Sequence, residues 1–306
     1  MRKNGRSQSQ GTVLGVFAIL LWSSTIAFSR SLSEALGPLT AGAAIFMLSG
    51  VLACIRLAIV SRGLQRVRHL PVAYLAGCGT LFVIYMVSLY VAIGLASGRQ
   101  QVLEVGLINY LWPGLTLVFA VPILKRRARA SLILGVLAGF GGIFLATTQN
   151  GMLSWEAFKS LSVNWFPYSL AFLAAVSWAL YSNLSRRWAG HTEGGGVPLF
   201  LISAGLVLTS IRMVFYEHSH WTFRSFLELF YMGIFPAMLG YTFWDEAMRR
   251  GRIILVSSLS YFTPLLSTLM ATAYLGVTAG WNLWAGCILV VIGATICKLS
   301  VEERSQ

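Results

Sequence analysis

The sequence predicts an all-α integral membrane protein: ten transmembrane helices in two inverted five-helix repeats, with both termini cytoplasmic. Three observations carry that expectation. Of the 306 residues, 57% are hydrophobic and 11% charged, with a mean hydropathy of +0.72, whereas a soluble domain is roughly a quarter charged. Apolar runs of about 20 residues, enough to cross the hydrocarbon layer, recur along the whole chain. Short motifs in the first half also return, in the same order, in the second.

The runs fall near 11–30, 39–60, 70–95, 101–123, 131–149, 166–187, 197–216, 225–248, 254–275 and 281–299. Arg2, Lys3 and Arg6 precede the first run, as in a signal peptide. However, that run carries Trp22 and a Ser23-Ser24-Thr25 cluster and has a counterpart later in the chain, so it reads as a retained span.

A net charge of +13 invites a nucleic-acid reading, which the distribution of the charge opposes. With the N-terminus inside, the cytoplasmic segments hold Arg2, Lys3, Arg6, Arg56, Arg62, Arg66, Arg68, Lys125, Arg126, Arg127, Arg129, Arg186, Arg187, Arg249, Arg250, Arg252, Lys298 and Arg304. The other side keeps Arg30, Arg99, Lys159, Arg212 and Arg224. This is the positive-inside bias of a membrane protein, and no nucleic-acid partner is expected. The partners expected are a small-molecule substrate and the bilayer, for a chain taken in the simplest case as a monomer.

Cys54, Cys78, Cys287 and Cys297 lie within apolar spans with no Cys-x-x-Cys spacing, and read as packing residues. His69, His191, His218 and His220 lie in connections, where His218-Ser219-His220 lacks a third metal ligand. No metal and no cofactor is expected. Phosphate-loop, His-Glu-x-x-His and Gly-x-Ser-x-Gly motifs are absent, so neither an ATPase motor nor a hydrolase is expected.

The repeat sets the architecture. Trp22 is followed by Ser29-Arg30 in span 1, and Trp178 by Ser185-Arg186 at the same distances in span 6. Span 2 opens on Pro38-Leu39 and closes on Ile55-Arg56; span 7 opens on Pro198-Leu199 and closes on Ile211-Arg212. Tyr90 precedes Gly98-Arg99 at the distance at which Phe243 precedes Gly251-Arg252. Span 4 holds Asn109-Tyr110-Leu111-Trp112-Pro113, and span 9 holds Ser260-Tyr261-Phe262-Thr263-Pro264. Gly135 and Gly142 in span 5 match Gly286 and Gly293 in span 10. Five ordered matches at offsets between 151 and 160 define repeats at 1–149 and 166–306, joined outside the membrane by 150–165. An odd number of spans per repeat makes the second copy cross in the opposite sense, the ground plan of many secondary transporters.

Pro113 and Pro264 stand in mid-span. Proline cannot donate to the carbonyl four residues back, which frees those of Asn109 and Ser260, and inside lipid such a carbonyl survives only against protein or a wet cavity. Paired breaks in the two halves point to a central site. Its expected lining is aromatic and uncharged: Trp22, Tyr85, Asn109, Tyr110, Pro113, Trp178, Tyr181, Tyr241, Trp244, Ser257, Ser260, Tyr261 and Pro264. Deep tyrosine hydroxyls need partners that substrate or water supplies. Freed carbonyls and hydroxyls suit an ammonium, kinked helix ends suit a carboxylate, and rings suit an apolar side chain, together matching a small zwitterion. Acids within spans are few: Glu104 one turn past Arg99, and Asp245-Glu246 one turn before Arg249-Arg250, all read as interfacial acids paired with those arginines. That scarcity points to a facilitator running down its substrate gradient.

On these residues the chain resembles the drug/metabolite transporter superfamily, in its EamA-type branch, over essentially its whole length. Trp22-Ser23-Ser24 and the Asn109–Pro113 run resemble, within that branch, bacterial exporters of aromatic amino acids. The resemblance implies a cytoplasmic-membrane carrier that moves aromatic and other neutral apolar amino acids outward, by alternating access around a cavity between the repeats. The outward direction comes from the resemblance alone. A drug or cation exporter, or another metabolite carrier of the same superfamily, is the alternative within transport. A membrane enzyme or a non-transporting scaffold is the alternative outside it.

Overall fold

Why the long helices break where they do explains most of the architecture. A computed structural model of the chain describes residues 2–60, 63–147, 165–190, 192, 194–276 and 280–301, and these are helical with no β-strand among them. In chain order the helices are α1 Arg2–Trp22, α2 Thr25–Leu36, α3 Pro38–Ile59, α4 Gly63–Arg68, α5 Gly79–Leu95, α6 Arg99–Asn109, α7 Trp112–Ile123 and α8 Ser131–Thr147. Then follow α9 Trp165–Ala189, α10 Val197–Val214, α11 Phe223–Met232, α12 Tyr241–Arg250, α13 Ile253–Leu259, α14 Thr263–Leu275 and α15 Trp281–Ser300. The expected connection 150–165 lies outside the described residues, apart from Trp165, which opens α9.

Among the described residues, seven stretches are long and apolar enough to cross a membrane: Pro38–Ile59, Tyr74–Leu95, Gln101–Ile123, Val197–Val214, Phe223–Arg250, Ile253–Leu275 and Trp281–Ser300. The pair Gln8–Trp22 and Thr25–Leu36, bent by 40°, makes an eighth if it is one span. Helix α8 is apolar but shorter over its described part, Ser131–Gly142. Helix α9 has the length, 25 residues, but its serines, Asn183 and paired arginines dilute its apolar character.

Both predicted proline sites are interruptions. Helix α6 stops at Asn109, the Leu111 N–H turns back to the Ile108 carbonyl, and α7 restarts with Pro113 in its first turn. In the second half a 3₁₀ turn, Ser260–Phe262, separates α13 from α14, which starts with Pro264 in its first turn. Proline is well suited there, because the first-turn N–H has no helical partner to lose. The break after Trp22 needs no proline. Ser23 Oγ and Ser24 Oγ donate to the carbonyls of Leu20 and Leu21, at 2.6 and 2.9 Å, and serine bonds of this kind bend helices. Wider π-helical turns occupy Tyr74–Cys78 ahead of α5 and Gly233–Gly240 between α11 and α12, the latter around Pro236.

The halves are interleaved. Helix α3 lies antiparallel to α10, with Gly50 against Ile202 and Gly205 against Phe46 and Met47. Helix α8 lies antiparallel to α15, with Gly135 against Gly293 and Gly142 against Gly286. A methyl group on Gly293 would lie 2.5 Å from the Gly135 carbonyl oxygen, so close backbone approach requires glycine there. Helix α1 packs on α12, α5 on α9, α9 on α6 and α7, and α14 on α2. Ile133, Leu134 and Leu137 of α8 and Ile288 and Ile292 of α15 face outward, an apolar surface that lipid covers.

Candidate functional site

The helix breaks turn large rings inward. Trp22 ends α1, Trp112 opens α7, and Tyr85 (α5), Trp178 and Tyr181 (α9), and Tyr241 and Trp244 (α12) converge on them, all buried. The Trp22 ring centroid lies 5.4 Å from that of Trp178, 5.1 Å from Tyr241 and 5.2 Å from Trp244. Tyr85 tilts over Trp178 at 4.7 Å, and Tyr181 stacks on its neighbour Trp178 at 4.8 Å. Edge-to-face and offset geometries such as these each contribute about 0.5–1.5 kcal/mol beyond burial. Two of the indole N–H groups find acceptors at the edge of the cluster. Trp22 Nε1 donates to the Pro236 carbonyl at 3.0 Å, a backbone group offered by the π-helical turn, and Trp244 Nε1 donates to Ser182 Oγ at 3.2 Å. Six of the predicted residues therefore meet in one place: Trp22, Tyr85, Trp178, Tyr181, Tyr241 and Trp244. They touch each other, so the predicted hollow is here filled by rings.

The other seven surround the two interruptions. Asn109, Tyr110, Pro113, Ser257, Ser260, Tyr261 and Pro264 are all buried. Tyr110 and Tyr261 line a small hollow whose other walls are Gly135, Gly139, Val290 and Cys297, on the side of α8 and α15. Asn109 Oδ1, Ser257 Oγ, Tyr261 OH and Thr263 Oγ1 are buried with no hydrogen-bond partner among the described residues. Buried polar atoms are seldom left so, and these four lie at or within one turn of the two helix breaks.

One constellation lies beyond the sequence reading. Asp245, 1% exposed, accepts hydrogen bonds from Tyr74 OH at 2.8 Å, Tyr181 OH at 3.0 Å and Arg249 Nε at 2.8 Å. Arg249, 2% exposed, also donates to Glu246 at 2.8 Å and to the Thr192 carbonyl at 3.1 Å. The expected pairing of Asp245 with an arginine one turn on is present, and the pair is buried within the protein. Tyr181 belongs to both this knot and the aromatic cluster. Against the knot opens a cavity of about 260 Å³ walled by α3, α4, the start of α10 and α12.

At the opposite end the helices are tied by different acids. Glu34 receives Arg30 at 2.8 Å and both Nε and Nη2 of Arg99, at 2.8 and 2.7 Å. The hydrogen bond from Arg99, which stands just ahead of its span, raises the Arg99 pKa further above its ordinary value. Glu228 receives Ser31 at 3.0 Å, Arg224 at 2.8 Å and Tyr274 at 2.5 Å. The expected Glu104–Arg99 pair is corrected here: Arg99 turns to Glu34 and to the Leu275 carbonyl, while Glu104 accepts a hydrogen bond from Tyr168 of α9. Among the described residues no group of three or more His, Cys, Asp or Glu side chains is gathered as a metal site.

The chain resembles known proteins over nearly its whole length. The model of the EamA-like transporter family matches residues 9–148 and 165–298. The chain belongs to that family. It is 30% identical to the aromatic amino acid exporter YddG of Salmonella typhimurium, covering 97% of this chain and all of that one. It is 29% identical to the exporter of that name in Escherichia coli, over 97% of this chain and 99% of the other. The YddG of Ancylobacter novellus is 30% identical over 96% of this chain and 98% of its own. A protein of known crystal structure superposes with a TM-score of 0.73 at 29% identity, covering 95% of this chain and 97% of the other. As a member of this transporter family, the chain is a membrane protein with several spans.

Proposed function

We propose that this protein exports amino acids across the cytoplasmic membrane, preferring aromatic and other neutral apolar ones, by alternating access between its two halves. The observation that carries this reading is the cluster of Trp22, Tyr85, Trp178, Tyr181, Tyr241 and Trp244 at the meeting of broken helices, in a chain whose near full-length relatives are named aromatic amino acid exporters. Rings that stack on one another in this closed arrangement offer the same faces to an aromatic side chain when they part. The unpartnered Asn109, Ser257 and Tyr261 atoms supply neutral hydrogen-bonding groups for a zwitterion's head. Asp245 is committed to Arg249 and two tyrosines, so it presents no free negative charge to a cation, which favours a neutral substrate over a drug-like cation.

The full architecture proposed is ten spans in two inverted repeats, with both termini cytoplasmic. Four observations support it. The family model matches each half separately. Helices that correspond in the two halves, α3 with α10 and α8 with α15, run antiparallel. Exchanging the halves maps the α1–α12 contact onto α9–α5. Arg56, Arg66 and Arg249 gather at one end, which the positive-inside bias assigns to the cytoplasm. Transport then runs down the substrate gradient by rearrangement of the helix breaks.

Counterflow in liposomes holding the purified protein tests the reading. Labelled tryptophan, phenylalanine and leucine exchange, and labelled lysine does not. Movement of lysine or a lipophilic cation alone would refute it.

A further inference from the structure

The cavity of about 260 Å³ beside the buried knot is not part of the aromatic cluster, and its walls have two characters. Ala53, Leu57, Val60 and Met238 give it an apolar side. Its charged side has three guanidiniums, Arg56, Arg66 and Arg249, and two carboxylates, Asp245 and Glu246. Arg249 is spent on those carboxylates, at 2.8 Å each. Arg56 and Arg66 are exposed and make no salt bridge among the described residues. Glu246, 28% exposed at its side chain, holds Arg249 and Arg250 through one oxygen each and keeps lone pairs open, since a carboxylate accepts about four hydrogen bonds.

A pure anion would meet Glu246 as well as the arginines, and a pure cation would meet Arg56 and Arg66. A ligand that carries both charges, a few ångströms apart on an otherwise apolar body, satisfies both walls. The floor of the cavity is also the lid of the aromatic cluster: Asp245 lines the cavity and accepts from Tyr181, which stacks on Trp178.

We infer that this cavity is a loading subsite for the zwitterionic head of an amino acid, with Arg56 and Arg66 receiving the carboxylate and Glu246 the ammonium. Resting on the export reading above, it assigns the first contact on the cytoplasmic side, ahead of the aromatic cluster. The apolar wall holds the side chain until the Tyr74–Asp245–Tyr181 knot opens. Charge-assisted hydrogen bonds of this kind fix the orientation of the head, so a substrate without a carboxylate gains nothing from the arginines.

Uptake into membrane vesicles of both orientations tests this, using labelled tryptophan and labelled tryptophanamide, which lacks the carboxylate. In inverted vesicles Arg56→Gln/Arg66→Gln raises KM for tryptophan about tenfold and leaves that for the amide within about twofold. Arg56→Lys/Arg66→Lys recovers part of the tryptophan affinity, which separates loss of charge from loss of folding. In right-side-out vesicles the same variants leave KM for tryptophan unchanged. An unchanged tryptophan KM in inverted vesicles, or an equal loss for both substrates, overturns the subsite. So does a loss confined to vesicles containing anionic lipid, which assigns the arginines to headgroups. No tryptophan flux in wild type refutes the export reading and the subsite with it, whereas flux that ignores Arg56 and Arg66 refutes the subsite alone.

Discussion

Replacing Asp245 by asparagine removes the charge from the most buried acid described and leaves its shape. Arg249, 2% exposed, keeps Glu246 at 2.8 Å and the Thr192 carbonyl at 3.1 Å but loses its partner on Nε. Breaking a buried pair by removing one member costs about 3–5 kcal/mol, because the other charge stays desolvated. The remaining contacts of Arg249 put the cost of Asp245→Asn near the low end, about 3 kcal/mol. Taking both charges away in Asp245→Leu/Arg249→Met removes that penalty. It still leaves the Tyr74 and Tyr181 hydroxyls without their acceptor, at about 1–3 kcal/mol for each unsatisfied group. The double variant is therefore more stable than the sum of its single variants implies, by a coupling of about 1.5 kcal/mol or more. Reversible unfolding in mixed micelles, driven by sodium dodecyl sulfate, measures wild type, Asp245→Asn, the two single variants Asp245→Leu and Arg249→Met, and the double variant. Strict additivity, or an Asp245→Asn variant as stable as wild type, would refute the description of this knot as a closed, mutually dependent unit.

Other consequences are as direct. Pro113→Ala and Pro264→Ala change stability by no more than about 1 kcal/mol, since each proline sits in the first turn of its helix, but slow counterflow; unchanged flux in both contradicts a role for the breaks in turnover. Tyr261→Phe removes an unpartnered buried hydroxyl and is neutral or stabilising in the same unfolding assay; destabilisation by more than about 1 kcal/mol shows that the hydroxyl has a partner. Gly293→Val forces side-chain carbon to within 2.5 Å of the Gly135 carbonyl and lowers stability by about 1–3 kcal/mol or more, measured by unfolding and by loss of monodisperse protein in detergent. Glu34→Gln breaks ion pairs that water reaches, so it costs less than about 1 kcal/mol, and any effect fades as salt is raised.

The parts of the structure legible in the sequence are those written in local chemistry. Pro113 and Pro264 mark their own interruptions, because a missing N–H acts within one turn. The break at Ser23-Ser24 was visible only as a polar cluster, since a serine bends a helix or leaves it straight according to where its hydroxyl turns. Trp22, Tyr85, Trp178, Tyr181, Tyr241 and Trp244, from four spans, meet in one cluster, and Trp112, inside the same motif as Pro113, joins them although the motif singles out its proline. Tyr110 and Tyr261 share the depth of that cluster but face the α8–α15 pair, a rotational setting that motif spacing does not encode. Acids were the least legible. Asp245 stands beside arginines and reads as interfacial, yet Tyr74 and Tyr181, far away in sequence, bury it. Glu104 takes Tyr168 and not its sequence neighbour Arg99, because Arg99 reaches Glu34 across the packed helices.

The central claim is that an aromatic side chain passes among the rings where the broken helices meet. An experimental map of the protein in lipid, prepared with saturating tryptophan, addresses it most directly. Indole density between Trp22, Tyr85, Trp178 and Tyr241, with those rings displaced from their mutual contact, is the predicted result. Rings that remain stacked while tryptophan occupies the hollow between Tyr110 and Tyr261, or binds only at the lipid-facing surface, would contradict it.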